Sequence, residues 1–339
     1  MAKYKIGIYG VGDVATEYIK AFNKNPQSEV VAVAGRDKGN ILARSKQLGV
    51  AFDIMDDYEH LLARKDIDVI VISTPHFMHA NEAIKAAKAG KHILCEKPLG
   101  MSFEEVVNAR DAVRKAGVKF QNSFVLNWFP FFLNVRKLIK DGLMGKLFYI
   151  EVDYFNNQKH WGAWKWGVNK KSGGPSAPLA AGIHAIECLR LLAGEAEEVS
   201  AYQTWGYSKD YEYAPTYVAV IKFKDGVLGK TAGSFEQPGP YHTSFCIYGS
   251  KGIIRNDKFY MKETFPGQTD WQKFETYMPN IRHHHLHPFQ ALIDDFIKAL
   301  DDDKYINIGN IEETFKTNEL CFAVTKAMET GEKVKLPML

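Results

Sequence analysis

Cys95-Glu96-Lys97-Pro98 follows directly on the apolar run His92-Ile93-Leu94-Cys95 and puts an acid and a base where a buried strand should simply turn. A lysine ammonium that burial has partly stripped of water titrates low enough to exchange a proton with a hydroxyl. The Glu96 carboxylate beside it can orient that lysine or hydrogen-bond a ribose. Taken alone, Glu-Lys-Pro reads as an exposed turn, but its place behind a buried run reverses that reading. Pro98 fixes the turn, with a cis X-Pro bond available at small cost.

A second stretch, GIYGVGDVATEY, shows what Lys97 would work beside. Gly10, Gly12 and Ala15 form G-x-G-x-x-A between an apolar run and a helix-period segment, the setting that a dinucleotide fingerprint requires. The first glycine makes the turn, the second lets a pyrophosphate approach the backbone, and free N–H groups at the helix start hold the phosphates. Gly10, Gly12, Asp13 and Val14 are therefore candidate cofactor contacts. The Asp13 carboxylate is unfavourable there unless it turns away to cap the helix. The next apolar run ends Val33-Ala34-Gly35-Arg36-Asp37. Gly35 and Arg36 offer room and a guanidinium for a 2′-phosphate, which leans towards NADP, while Asp37 keeps NAD open. Ser73-Thr74-Pro75 and His79 close a further apolar run. Ser73, Thr74 and His79 are candidate cofactor contacts, the alternative being that Thr74, Pro75 and His79 only cap the following helix.

Strands and helices must place these groups. Tyr4–Tyr9, Glu29–Ala34, Val69–Ser73, His92–Cys95 and Lys119–Asn122 read as short buried strands. Helical periodicity fills Val14–Asn23, Ile41–Leu48, His79–Ala89 and Phe103–Ala116, and such alternation predicts a parallel sheet covered on both faces. After residue 122 longer alternating runs appear at Lys146–Asn156, Val199–Trp205, Thr216–Lys224, Val227–Phe235, Thr243–Gly249 and Gly252–Asn256. Turns such as Lys224-Asp225-Gly226 join them, so they read as an antiparallel sheet. Helices are expected at Phe131–Asp141, Leu179–Leu192, His287–Leu300 and Ile311–Glu329. The expectation is an α/β Rossmann dinucleotide-binding domain over 1–122 and an α+β domain with a large, mostly antiparallel open sheet over 123–339.

Composition limits the partners. The 339 residues are 46% hydrophobic and 24% charged with net charge +3, and neither a basic stripe nor an acidic tail argues for nucleic acid or membrane. A small molecule is expected. Cys95, Cys188, Cys246 and Cys321 lie far apart in apolar segments without a CxxC pair, which suits buried thiols in a reducing compartment. With no secretory h-region and no apolar run near ~20 residues, the expected location is cytoplasmic.

G-x-G-x-x-A, then S-T-P-x-x-x-H, then AGKHILCEKPLG, in this order and spacing, resemble the glucose-fructose oxidoreductase, inositol dehydrogenase and rhizopine-catabolism family, called Gfo/Idh/MocA. The first 125 residues carry the motifs, and the second half matches in layout. The resemblance implies a nicotinamide cofactor, NAD(P)(H), a sugar or polyol substrate, Lys97 at the catalytic centre, and a homodimer or homotetramer formed through the C-terminal sheet. The family's second signature is a glycine-rich loop followed by an Asp and, four residues later, a His. In SGGPSAPLAAGIHAIECLRLLAGE, Gly173, Gly174, Gly182 and His184 match, but Ala180 stands where the Asp belongs. A continuous helix would face i to i+4, so Ala180 removes the carboxylate partner. Either His184 works with Lys97 alone, or another group contributes, His160, Lys165 and Tyr154 being nearest by segment. Without the resemblance, His184 on an apolar helix reads as a core histidine.

The segment YFNNQKHWGAWKWGVNKKSGG, residues 154–174, lacks strand or helix period and is rich in tryptophan and cations. Aromatic faces stack on pyranose C–H faces, and imidazoles and ammonium groups bind hydroxyls. Tyr154, His160, Trp161, Lys165, Trp166 and His184 are thus the substrate candidates, an oligomer contact being the alternative for the tryptophans. In RHHHLHPF, His283 and His287 would share a helix face, but no carboxylate or cysteine spacing accompanies them and no metal is expected. The activity implied is NAD(P)-dependent hydride transfer at a secondary hydroxyl of a sugar, polyol or glycoside, with Lys97 and His184 catalytic. Two alternatives remain: a redox-neutral, cofactor-recycling glycoside-cleaving enzyme, and a catalytically reduced NAD(P)-sensing binding protein.

Overall fold

The computed structural model describes residues 4–160, 164–276 and 286–338, with the backbone alone at 160, 164 and 165. Two compact units divide the chain: Met1–Phe124 with Pro288–Lys316, and Val125–His287 with Thr317–Leu339.

The first unit begins β1 (Tyr4–Tyr9), α1 (Asp13–Lys24), β2 (Ser28–Ala34), α2 (Lys38–Leu48), β3 (Asp53–Met55), α3 (Tyr58–Ala63), β4 (Val69–Ile72), α4 (His79–Lys88), β5 (His92–Cys95), α5 (Phe103–Ala116) and β6 (Phe120–Asn122). The strands form one sheet in the order β3-β2-β1-β4-β5-β6, and every pairing is parallel. The order reverses between β1 and β4, so the crevice outside the carboxyl ends of β1, β4 and β5 is where such a sheet binds ligands. Val69-Ile70-Val71-Ile72 is wholly buried, as a strand covered on both faces must be. On α1, Ala15, Tyr18, Ile19 and Phe22 form the buried stripe. The sequence reading passed over β3 and α3. The strand has three residues, none fully buried, and the helix six, too few for either period to show.

The second unit contains α6 (Pro130–Lys140), β7 (Leu147–Phe155), the single turn α7 (Trp164–Gly167), a π-helical turn over Pro178–Gly182, α8 (Ile183–Ala193), β8 (Ala196–Thr204), β9 (Thr216–Phe223), β10 (Leu228–Ser234), β11 (His242–Gly249), β12 (Gly252–Arg255), β13 (Lys258–Tyr260), β14 (Gln272–Lys273) and β15 (Val334–Lys335). Its sheet runs β14-β13-β12-β11-β7-β10-β9-β8-β15. All its pairings are antiparallel except β7 with β10, so the sheet is mixed and mostly antiparallel, as expected. On β9, Tyr217, Ala219, Ile221 and Phe223 point into the core, while Val218, Val220 and Lys222 are exposed. Helix α8 is buried nearly all round, the ion pair of Glu187 and Arg190 included: Glu187 lies 3.5 Å from Arg190, accepts from Asn127 Nδ2 at 3.3 Å and from Thr317 Oγ1. A buried charge is tolerable only when it is bonded in this way.

From Pro288 the chain returns to the first unit with α9 (Phe289–Asp301), and the division between units falls within α10 (Ile311–Thr330). Residues 288–316 thus group with the first unit, inside the span 123–339 expected for the second domain. Phe289 meets Tyr18 edge-on at 5.2 Å, Gln121 Nε2 donates to the Leu292 carbonyl at 2.8 Å, and Asn122 N donates to the Gly309 carbonyl at 2.8 Å. Among the described residues no helix is long and apolar enough to cross a membrane.

Candidate active site

The glycine turn between β1 and α1 is built for close approach. Gly10 has φ +89°, and a Cβ there would lie 2.5 Å from the Ser73 carbonyl oxygen, so only glycine fits. Gly12 differs: a Cβ on it would meet nothing within 4 Å. Gly12 is also the N-cap of α1 and supplies no side-chain bond to the first-turn N–H groups, which stay available to a ligand. Open space in front of unsatisfied donors fits a pyrophosphate. Asp13 turns to Arg44 Nη2 at 3.0 Å, an exposed pair that meets the reservation about its charge without capping α1. Val14 is half-buried. At the end of β2, Arg36 is exposed, and the Asp37 carboxylate caps α2 by accepting from Asn40 N at 2.9 Å.

Three of the expected cofactor contacts have side-chain partners within the protein. Ser73 Oγ donates to the Gly10 carbonyl at 2.6 Å, and Thr74 Oγ1 donates to Glu82 Oε2 at 2.6 Å, so both hydroxyls serve the protein itself. His79 is fully buried. Its Nδ1 lies 2.7 Å from the Pro98 carbonyl oxygen and its Nε2 2.8 Å from that of Thr74. Residue spacing marked the strand end but not which way its polar groups turn.

At the carboxyl end of β5, Glu96 N donates to the Ile72 carbonyl at 2.8 Å, and Asn122 Nδ2 and Ser123 N donate to the Cys95 carbonyl at 3.0 and 2.9 Å. The following Lys97–Pro98 peptide is cis. Tyr18 Oη donates to Glu96 Oε1 at 2.5 Å and lies 2.6 Å from Ser123 Oγ, while Lys97 N donates to Glu96 Oε2 at 3.2 Å. Burial raises the Glu96 carboxyl above its ordinary range, and the Tyr18 bond opposes that rise. Lys97 is half-buried, and desolvation lowers its proton affinity against the opposing pull of Glu96. Tyr18 and Ser123 escaped the sequence reading, although a tyrosine on the apolar stripe of α1 was a signal, because a buried phenol needs a partner.

In the second unit the structure brings Tyr154 and His184 together. Both are buried, with ring centroids 5.6 Å apart at 32°. Tyr241, not singled out from sequence, meets Tyr154 edge-on at 5.3 Å. Burial pushes the Tyr154 phenol up to about 12, against hydrogen bonds from Tyr241 and Asn156. Ala180 lies in the π-turn and His184 in the α-helix that follows it. Trp166 is half-buried on α7, and its carbonyl accepts from Ser172 Oγ at 2.8 Å. Trp161, His283 and the side chains of His160 and Lys165 lie outside the described residues. Phe129 meets the ring of His287 at 5.8 Å. The Glu236 carboxylate gathers the backbone N–H groups of Gly206, Tyr207 and Ser208 at 2.6, 3.1 and 2.7 Å, and this loop carries the exposed rings of Trp205 and Tyr207.

Comparison with known proteins gives two matches to family models. One, described as an oxidoreductase family with an NAD-binding Rossmann fold, covers residues 4–124, and its C-terminal alpha/beta domain covers residues 136–336. The 2,7-anhydro-N-acetylneuraminate hydratase of Escherichia coli K12 is 29% identical over 269 residues, 76% of this chain and 68% of that one. D-xylose 1-dehydrogenase (NADP(+)) 2 of Haloferax volcanii is 26% identical over 97% of this chain and 99% of its own. Among solved structures, levoglucosan dehydrogenase in complex with NADH and L-sorbose superposes with a TM-score of 0.85 at 23% identity, covering 100% of both chains.

Proposed function

The chain belongs to the Gfo/Idh/MocA family of NAD-binding oxidoreductases, and from that premise we propose that it transfers hydride at a secondary carbinol of a sugar, polyol or glycoside. The bound dinucleotide supplies the hydride acceptor or donor at its nicotinamide. Gly10, Gly12 and the first turn of α1 hold its pyrophosphate. Neutral Lys97 takes the hydroxyl proton during oxidation and returns it during reduction. Glu96, held by Tyr18, keeps the lysine's backbone and charge in place. His184 binds a substrate hydroxyl, its ring set against Tyr154, and His160, Trp161, Lys165 and Trp166 complete the sugar subsite. The observation that carries this reading is Lys97 itself, half-buried at the carboxyl end of a parallel strand with its proton affinity lowered by burial.

With the Asp37 carboxylate committed to α2, the exposed Arg36 supports NADP as the preferred cofactor. The exposed Val218, Val220 and Tyr202 on the open face of the second unit's sheet support assembly into a homodimer or homotetramer. Its four cysteines carry no disulfide, which supports a cytoplasmic setting.

The relative named a hydratase favours a second reading. Oxidation at C3 of a glycoside acidifies C2–H, loss of that proton expels the aglycone, water adds to the resulting enone, and the reduced cofactor returns its hydride to C3 with no net redox change. Incubation with each dinucleotide and a panel of sugars, inositols and glycosides, followed by reduced-nicotinamide absorbance and product analysis, separates the two. Net cofactor reduction supports the dehydrogenase, aglycone release without it supports the recycling enzyme, and cofactor binding with neither refutes both.

A further inference from the structure

His79 has an arrangement that the proposed reaction does not use. Both of its ring nitrogens face carbonyl oxygens, Nδ1 that of Pro98 at 2.7 Å and Nε2 that of Thr74 at 2.8 Å, and the ring has no exposed surface. A carbonyl oxygen only accepts, and a neutral imidazole has only one N–H to donate. Both bonds form together only when each ring nitrogen carries a hydrogen. The two carbonyls belong to different segments: Thr74 follows β4, and Pro98 is the residue after Lys97.

We propose that His79 is a positioning residue for Lys97, tying the Pro98 carbonyl to the Thr74 carbonyl and so fixing the backbone from which the lysine side chain departs. The proposal rests on the assignment of Lys97 to proton transfer. The charges around the ring decide how firmly it holds. Burial, the largest effect, lowers the proton affinity of the ring, the bonds to the Pro98 and Thr74 carbonyls oppose it, and the Lys97 ammonium adds to the lowering. The His76 ring lies 5.7 Å away. On the same helix, Glu82 accepts from Thr74 Oγ1, and burial pushes its carboxyl up to about 7 against that bond and the charge of Lys85. His79 and Glu82 thus hold Thr74 from two sides, the ring at its carbonyl and the carboxylate at its hydroxyl. When His79 loses its second proton, one of its two ends releases, and Lys97 gains freedom of position.

The test is H79Q, whose side-chain amide can donate at one site but cannot span both carbonyls. It is compared with wild type and K97A for kcat, KM, cofactor dissociation constant and the pH profile of kcat. The proposal expects kcat to fall by about 10- to 100-fold, the scale of a small misplacement of a reacting group, with cofactor affinity unchanged and the pH profile of kcat altered. An unchanged kcat and profile in H79Q, with K97A inactive, overturns the positioning role and leaves the Lys97 assignment standing. Full activity in K97A overturns that assignment instead. Should H79Q fail to fold, the ring resonances of 15N-histidine-labelled wild type decide: hydrogens on both nitrogens of His79 support the hold, and a single ring hydrogen across the active pH range overturns it.

Discussion

Replacing Tyr18 by Phe removes one oxygen from the protein and tests how Glu96 is kept. That oxygen donates to Glu96 Oε1 at 2.5 Å and lies 2.6 Å from Ser123 Oγ, with Tyr18 fully buried. A hydrogen bond to a buried charged group contributes about 1.5–3 kcal/mol, and that energy corresponds to roughly one to two units of carboxyl pKa. Burial already raises Glu96, and the Tyr18 bond is the largest effect opposing it, so Y18F raises it further. A carboxyl raised above its unfolded value contributes stability in full below the unfolded pKa and loses it as pH rises through the folded pKa. The stability lost in Y18F is therefore greatest at neutral and alkaline pH and smaller in acid, where Glu96 is protonated in both proteins. Urea unfolding at about pH 8 should show the ~1.5–3 kcal/mol deficit, and at about pH 5 a smaller one. Ionised Glu96 also raises the proton affinity of Lys97, so the rising limb of the oxidation rate should move to lower pH in Y18F. Equal deficits at both pH values together with an unmoved limb would refute the idea that Tyr18 holds an ionised Glu96.

G10A forces a side chain into φ +89° and 2.5 Å from the Ser73 carbonyl, so it should cost more than the ~1–2 kcal/mol of a left-handed residue and weaken dinucleotide binding in a fluorescence titration. R36A should raise KM for NADP+ by about 10- to 100-fold, the value of a charge-assisted bond to a phosphate, and leave KM for NAD+ unchanged. Equal effects on the two would place Arg36 away from the 2′-phosphate.

The parallel half of the fold was legible because its strands are buried on both faces. Val69–Ile72 is an uninterrupted β-branched run, and the glycines of the first turn follow a strand and open a helix. Where local signals stopped, so did the reading. The amphipathic stripe of Phe289–Asp301 shows that one face is buried but not against which unit, and only the contacts of Phe289 and Leu292 assign it. The parallel pairing of β7 with β10 joins residues some eighty positions apart, and alternation is blind to it. The turn over Pro178–Gly182 carries nothing in its run of small residues that separates a π from an α geometry, so the π turn before His184 was not legible. At the candidate site, Lys97 and Glu96 stood out because they break an apolar run. Tyr18 was missed because it continues one, and the inward bonds of Ser73, Thr74 and His79 were not legible because hydroxyl and imidazole groups bond inward as readily as outward.

The central claim is that Lys97 exchanges the substrate proton, and the measurement that reaches it most directly is turnover by K97A alongside its dinucleotide dissociation constant, with a substrate that the wild-type enzyme oxidises. The account predicts that turnover falls by about 10²- to 10⁴-fold, the usual share of a general acid–base group, while the dissociation constant stays close to wild type. Turnover at the wild-type rate in K97A would contradict it.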